Sequence, residues 1–132
     1  MFALEVRDHI MIAHSLPDPV FGPAQNMHGA TFVVDVAFFR EDMTEHNFVV
    51  DIGRAAETLK SVLQPINYAN LDEVPHLKGH LTTTEFLCKY IFDQMAAAAR
   101  SGSLGPGSQT LAKIRVTLNE SHTARAWYEA AI

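Results

Sequence analysis

The chain has 132 residues, of which 48% are hydrophobic and 19% charged, and these proportions are typical of one folded domain rather than a disordered segment. Its net charge of −5 argues against bulk attraction to nucleic-acid phosphate or to an anionic membrane. There is no apolar run of roughly 18 residues, no signal-peptide pattern at the N-terminus and only one cysteine, Cys88, so we expect a cytoplasmic protein with a single domain over residues 1–132, without an internal disulfide.

The first part of the chain predicts a β-hairpin. Residues 2–15 are rich in Val, Ile and Phe and alternate loosely in polarity, which favours a long strand. Residues 16–27 contain three prolines and a glycine and predict a loop. Residues 28–39 return to a β-rich pattern, and their closeness to the first run predicts that the two strands pair.

Two helices are predicted in the middle of the chain. Residues 52–63 place apolar side chains at helical spacing, with Asp51 as the N-cap. Residues 82–99 predict a second helix, in which Thr82 and Glu85 have the spacing of a capping box.

Two further predicted strands, residues 111–118 and 122–130, complete the pattern. The order is β-β-α-α-β-β, with strands and helices segregated along the chain. This order predicts the α+β class, as an antiparallel four-stranded sheet with two helices on one face. The edge strands of such a sheet favour assembly unless they are blocked.

Two histidines stand out because each lies in a predicted strand of the hairpin. If the strands pair, His14 and His28 face each other and supply two of the three protein ligands that a catalytic zinc usually has. The alternative is a buried pair of imidazoles that are hydrogen-bonded and hold no metal.

Six short motifs lie along the chain in a specific order: residues 13–16 (AHSL), 28–32 (HGATF), 49–53 (VVDIG), 66–72 (INYANLD), 83–86 (TTEF) and 116–120 (VTLNE), with Tyr128 after the last. No single motif is decisive, but the ordered set is specific. The set resembles the family of 6-pyruvoyl tetrahydropterin synthase and 6-carboxytetrahydropterin synthase, which has the tunnelling fold, or T-fold. The resemblance covers nearly the whole chain.

The resemblance implies a zinc site of which this chain keeps only a part. Family members bind zinc through a histidine of the first strand and both histidines of a His-Gly-His triplet. His14 and His28 match the first two, whereas Ala30 stands where the third is expected. We therefore favour the hydrogen-bonded pair and expect no cofactor; His122, two residues after Glu120, is the one further candidate for a third zinc ligand.

The catalytic groups that the resemblance implies are replaced as well. The family's cysteine, a few residues before the triplet, has no counterpart in residues 21–27, and the family's Asp-His pair falls on Asn67 and Tyr68. No catalytic residue is therefore assigned. Tyr68 is the candidate, because a phenol can donate a proton in acid–base steps; the alternative is an aromatic ring that fills the space of the missing imidazole.

The pterin-binding positions, by contrast, match the family. Glu120 falls on the glutamate that holds the pterin ring, and Thr83, Thr84 and Glu85 fall on the turn that begins the second helix. A carboxylate can accept two parallel hydrogen bonds from the amino group and ring N–H of a guanine-like edge. The alternatives are a solvated carboxylate for Glu120 and helix capping for the threonines.

These expectations combine into one functional hypothesis with three competitors. The chain is expected to bind a pterin or similar purine-like ring, to assemble as a homohexamer (a dimer of trimers), and not to catalyse the standard synthase reaction. The competitors are a pterin lyase, aldolase or epimerase that uses Tyr68, His28 or His122 as proton carrier, a non-catalytic sensor of a pterin or nucleotide, and an intact zinc synthase with an unusual third ligand. Neither a nucleic acid nor a membrane is an expected partner.

Overall fold

The structure, a computed structural model, describes all 132 residues and has one five-stranded sheet with two α-helices. The strand order in the sheet is β3-β1-β2-β4-β5. The elements along the chain are β1 (Phe2–His14), β2 (His28–Arg40), α1 (Ile52–Leu63), β3 (Ala69–Asn70), α2 (Thr84–Ser101), β4 (Lys113–Asn119) and β5 (Arg125–Ala131). The predicted α+β class is confirmed.

The sheet has one strand more than the four predicted. The additional strand, β3, contains only two residues and pairs in parallel with Ile12 and Ala13 of β1. A segment of two residues carries no period-2 pattern, so sequence alone gives no signal for it. The remaining pairs are antiparallel, as predicted.

Side chains at alternate positions of β1, β2 and β4 pack against the helices and form the core with them. The largest fully buried side chains include Ile10, Phe38, Leu59, Ile91 and Ile114. Because successive strand residues point to opposite faces, this arrangement covers one face of the sheet and leaves the other without helices. Neither helix is long and apolar enough to cross a membrane.

The helix caps decide where the two helices begin. Asp51 caps α1, since its Oδ1 accepts a hydrogen bond from the Arg54 N–H at 3.0 Å, and this prediction is confirmed.

The second helix begins two residues later than predicted. Thr83 is its N-cap, with Oγ1 accepting from the Phe86 N–H at 3.2 Å, so the predicted capping box at Thr82 does not form. Thr82 is instead buried against His14. Three successive threonines precede the helix, and their sequence does not distinguish which one caps it.

A buried arginine fixes the end of the sheet that lies away from the two histidines. Arg40 is 6% exposed, its Nε donates to the carbonyl of Val49 at 3.0 Å, and its Nη2 donates to the carbonyl of Gly107. These bonds join the loop before α1 to the loop before β4. The opposite end of the sheet carries the site residues described next.

Candidate functional site

The two histidines are brought together at the end of the β1–β2 hairpin. His14 and His28 are direct partners in the antiparallel register, and their ring centroids are 4.6 Å apart at an interplanar angle of 64°. The sequence prediction that they face each other is therefore confirmed.

One nitrogen of each imidazole is held by the surrounding chain. Nδ1 of His14 is hydrogen-bonded to Oγ1 of Thr82 at 3.0 Å, and Nδ1–H of His28 donates to the carbonyl of Asn26 at 2.8 Å. Since a carbonyl can only accept, Nδ1 of His28 carries the proton, and in the neutral ring Nε2 is left as an acceptor.

Burial lowers the pKa of His14, and the neighbouring His28 lowers it further, while the charge of Asp72 acts in the opposite direction. Asp72 is itself fixed to the end of β1, because Ser15 donates to it from its backbone N–H at 3.2 Å and from its hydroxyl at 2.5 Å. His14 is only 4% exposed, so the neutral ring is the form that this environment favours.

A three-ligand zinc site does not fit the residues present. Ala30 lies on the same face of β2 as His28, opposite Ile12, and its methyl group has no lone pair to donate. His122 is exposed in the turn between β4 and β5. No group of three or more His, Cys, Asp or Glu side chains is positioned to hold one metal ion.

The carboxylate predicted to hold the ring lies directly after β4. Oε2 of Glu120 accepts a hydrogen bond from Oγ1 of Thr84 at 3.3 Å, so the structure brings these two predicted residues together. Thr83 adjoins them as the cap of α2. Glu85 is exposed in the first turn of the helix and makes no side-chain hydrogen bond.

An open cavity of about 510 Å³ lies beside Glu120. Its lining also includes His122 and the side chains of Arg7, Thr31 and Arg125. The cavity therefore combines one carboxylate with two guanidinium groups.

Tyr68 lies apart from Glu120 in the single chain. Its side chain is 79% exposed, and its backbone has a φ of 57°. This conformation is held at the edge of β1, where the Tyr68 N–H donates to the Met11 carbonyl at 2.7 Å and the Asn67 side chain accepts from the Met11 N–H at 3.1 Å. The cavity that Tyr68 lines, about 600 Å³, includes neither histidine of the pair.

The only cysteine is buried in the core and is not placed as a reactive thiol. Cys88 is buried in α2, its Sγ donates to the carbonyl of Ala126 at 3.4 Å, and burial raises the pKa of its thiol to about 11. A thiol with a raised pKa is a poor nucleophile and a poor base at neutral pH.

Sequence reasoning missed a polar cluster on the face of the sheet without helices. Arg7 forms two hydrogen bonds to Asp35, at 2.6 and 2.9 Å, and Asn119 donates to the same carboxylate at 3.0 Å. The only sequence signal is that all three occupy odd-numbered strand positions; their contact depends on the register of three strands.

Comparison with known proteins gives consistent results. A family model described as 6-pyruvoyl tetrahydropterin synthase matches residues 3–131. The chain is similar to a curated 6-pyruvoyl tetrahydrobiopterin synthase of Dictyostelium discoideum, with 33% identity over 78 residues, which is 58% of this chain and 58% of that protein.

Solved structures share the fold. The 6-pyruvoyl tetrahydropterin synthase of Caenorhabditis elegans has a TM-score of 0.79 at 23% identity, with 98% of this chain and 96% of that chain covered. The enzyme from Plasmodium vivax has a TM-score of 0.73 at 15% identity, with 100% of both chains covered.

Proposed function

Because the chain belongs to the 6-pyruvoyl tetrahydropterin synthase family, we propose that it binds a pterin or related purine-like ring through Glu120 and does not carry out the standard synthase reaction. The placement of Glu120 beside Thr84 and an open cavity is the observation that carries the proposal.

The carboxylate of Glu120 suits a guanine-like edge. Thr84 occupies one oxygen from the side of α2, which orients the group and leaves acceptor capacity for a ligand, since an ionised carboxylate has about four acceptor sites. Two parallel hydrogen bonds to a charged group are strong, and a ligand without these donors would leave the carboxylate unpaired. The site is therefore expected to select rings that present an amino group beside a ring N–H.

Three features support the loss of the synthase reaction. Ala30 leaves the two imidazoles without a third metal ligand on their face. Asn67 lies at the position of the family's acidic residue, and its side-chain oxygen accepts a hydrogen bond from the Met11 N–H. The one thiol, Cys88, is buried with a raised pKa. We therefore propose that no zinc is resident at His14 and His28.

A second candidate function is a pterin lyase, aldolase or epimerase with an altered mechanism. It is favoured by His28, because the Asn26 carbonyl holds Nδ1–H and leaves Nε2 as a lone pair for a ligand proton. Against it, neither Tyr68 nor His122 contacts this imidazole in the single chain. A non-catalytic sensor of a pterin or nucleotide needs only the ring-binding part of the site.

The proposed assembly is the homohexamer that the family resemblance implies, in the cytoplasm. β3 covers only Ile12 and Ala13 at the outer edge of β1, and β5 is the other edge of the sheet. Both edges carry unpaired backbone groups that can pair with another copy of the chain.

The test is a binding titration with neopterin and biopterin in oxidised and reduced forms, followed by their intrinsic fluorescence or by calorimetry. Glu120→Gln replaces one acceptor oxygen by a donor and is expected to weaken binding about 10- to 100-fold. The matched control is Glu41→Gln, an exposed acidic residue at the other end of the sheet, which should bind as the wild type does. Equal affinity of the Glu120 variant and the wild type would refute the ring site.

The reaction is tested separately by incubation with dihydroneopterin triphosphate and by mass analysis of the products. We expect recovery of unchanged substrate. Conversion to the standard synthase product would contradict the proposed loss of chemistry while leaving the ring site intact. A different product, abolished by His28→Ala, would favour the second candidate.

A further inference from the structure

The face of the sheet opposite the helices, which we call the helix-free face, has its side chains in regular cross-strand rows. One row runs Arg7, Asp35, Thr117 and Trp127, since each is the register partner of the next. Small or short side chains occupy the middle of the row, and the long ones occupy its two ends. At this row, β2 and β4 therefore form the floor of a trough between Arg7 and Trp127.

This face is positively charged in an acidic chain. Its strand positions carry four cations (Arg7, Lys113, Arg115 and Arg125) and three anions (Glu5, Asp35 and Glu129). The resulting net charge of +1 contrasts with −5 for the whole protein, so the remaining surface is more acidic than the average suggests. Such a local excess attracts an anion that the rest of the surface repels.

One guanidinium of the trough is held in place from below. The carboxylate of Asp35 is 6% exposed and takes two hydrogen bonds from Arg7 and one from Asn119. The hydrogen bonds from Arg7 hold the pKa of Asp35 below its usual value. The Arg7 side chain remains 67% exposed, so its outer N–H groups are oriented and open to solvent.

The second guanidinium is unpaired. Arg125 makes no ion pair and no side-chain hydrogen bond, and it lines two cavities, of about 510 and 250 Å³, that also share Arg7. Trp127 lines the smaller cavity and is 60% exposed. A tryptophan this exposed has a ring surface free for stacking.

We propose that the trough between Arg7 and Trp127 binds a planar aromatic ligand that carries an acidic group, such as a phosphate or carboxylate. The ring stacks on Trp127, and the acidic group is contacted by Arg125 and by the open side of Arg7. This site lies on the opposite face of the sheet from His14 and Thr82, and its larger cavity is the one that Glu120 also lines, so the two proposed sites are neighbours.

Tryptophan fluorescence reports directly on this site, because Trp127 is the only tryptophan of the chain. The probe is adenosine monophosphate, with adenosine and inorganic phosphate as its two halves, and the readout is tryptophan fluorescence during a titration. We expect saturable quenching by the nucleotide, weaker binding of adenosine by about tenfold, and competition by inorganic phosphate that does not itself quench as strongly.

The variant is Arg125→Gln, which removes the unpaired charge without removing a contact of the folded chain. It should weaken nucleotide binding about tenfold and leave adenosine binding unchanged. The matched control is Arg100→Gln, which removes an exposed charge at the end of α2 and should bind the nucleotide as the wild type does. Circular dichroism of both variants checks the fold.

Three results would overturn the proposal. The first is the absence of saturable quenching, and the second is equal weakening by Arg100→Gln and Arg125→Gln. The third is phosphate binding as tight as that of the nucleotide, which would mean that the ring makes no contact. Glu120→Gln removes a negative charge from the cavity that Arg7 and Arg125 also line, so it should tighten nucleotide binding while it weakens pterin binding. These opposite effects distinguish failure here from failure at the pterin site.

Discussion

His14 and His28 lie directly opposite each other at the end of the hairpin, with ring centroids 4.6 Å apart. The hairpin register therefore places the two imidazoles side by side, with Nδ1 of each ring hydrogen-bonded to protein. What the site lacks is a third donor, since Ala30 occupies the next position on the same face of β2. Restoring that donor is a direct test of the geometry.

The substitution Ala30→His is expected to create a zinc site. Partners outside the ligand shell alone change metal affinity about 10- to 100-fold, so an added direct ligand should tighten zinc binding by more than about 100-fold. The measurement is competition with a chromogenic chelator. Thr31→His is the control, because the adjacent residue points to the opposite face of the sheet, and zinc affinity equal to that of Ala30→His would contradict the assigned geometry.

The neighbouring threonines before α2 should respond differently to substitution. Thr83→Ala removes the helix cap and is expected to cost about 1 kcal/mol of unfolding free energy. Thr82→Val removes the buried hydroxyl partner of His14 and should cost about 1–3 kcal/mol.

The two threonine variants are distinguished by NMR titration of the histidines. Only Thr82→Val should alter the titration of His14, because Thr83 has no contact with that ring. Urea unfolding gives the free energies. An unchanged His14 titration in Thr82→Val would show that the hydroxyl does not hold the imidazole.

Asp35 should make stability depend on acid pH. Its folded pKa is lowered, first by the hydrogen bonds from Arg7 and also by the one from Asn119. A lowered folded pKa gives a contribution that is present above the unfolded pKa of about 3.9 and is lost as pH falls through the folded value. Below about pH 4, the wild type should therefore lose stability faster than Asp35→Asn.

The measurement is urea unfolding at a series of pH values from neutral to acid. Asp42→Asn is the comparison, since Asp42 is exposed after β2 and its variant should follow the wild-type curve. Parallel curves for the wild type and Asp35→Asn would show that the carboxylate contributes no linkage.

Tyr68 should be replaceable at no cost to the fold. Its φ of 57° lies in the left-handed region, which costs a residue with a side chain roughly 1–2 kcal/mol and which asparagine adopts more readily. Because the ring is 79% exposed, little packing is lost, and Tyr68→Asn is expected to raise the unfolding free energy by up to about 1 kcal/mol. Thermal unfolding measures the change, and a destabilised variant would show that the exposed ring has a partner.

Helices and strands with a strong hydrophobic periodicity are predicted well from the sequence. Contacts between these elements are predicted less well. The 12 residues of α1 have the predicted bounds, because apolar spacing and the Asp51 cap both indicate the same helix. The two residues of β3 have no periodic signal, and the cap of α2 is ambiguous within three threonines. Hydrophobic periodicity therefore does not predict β3, and capping preferences do not decide which of the three threonines begins α2.

The candidate site shows the same limit. His14 and His28 could be paired from the sequence because one hairpin sets their register. The contact between Glu120 and Thr84 spans two elements that are 36 residues apart, and the residue types alone do not reveal it. The family resemblance indicated both residues, but the hydrogen bond between them is a product of tertiary packing.

The two open margins of the sheet have a consequence for solubility. The margins belong to different strands, because one is β1 beyond the two residues that β3 covers and the other is β5, so a contact that joins them between copies is head-to-tail. Such a contact gives a closed ring only if the rotation that relates one copy to the next is a whole fraction of 360°. Otherwise the contacts continue into a fibre. If copies of the chain join through these margins, the curvature of the sheet determines whether they form discrete particles or filaments, and a substitution that flattens β1 is then a route from the first to the second.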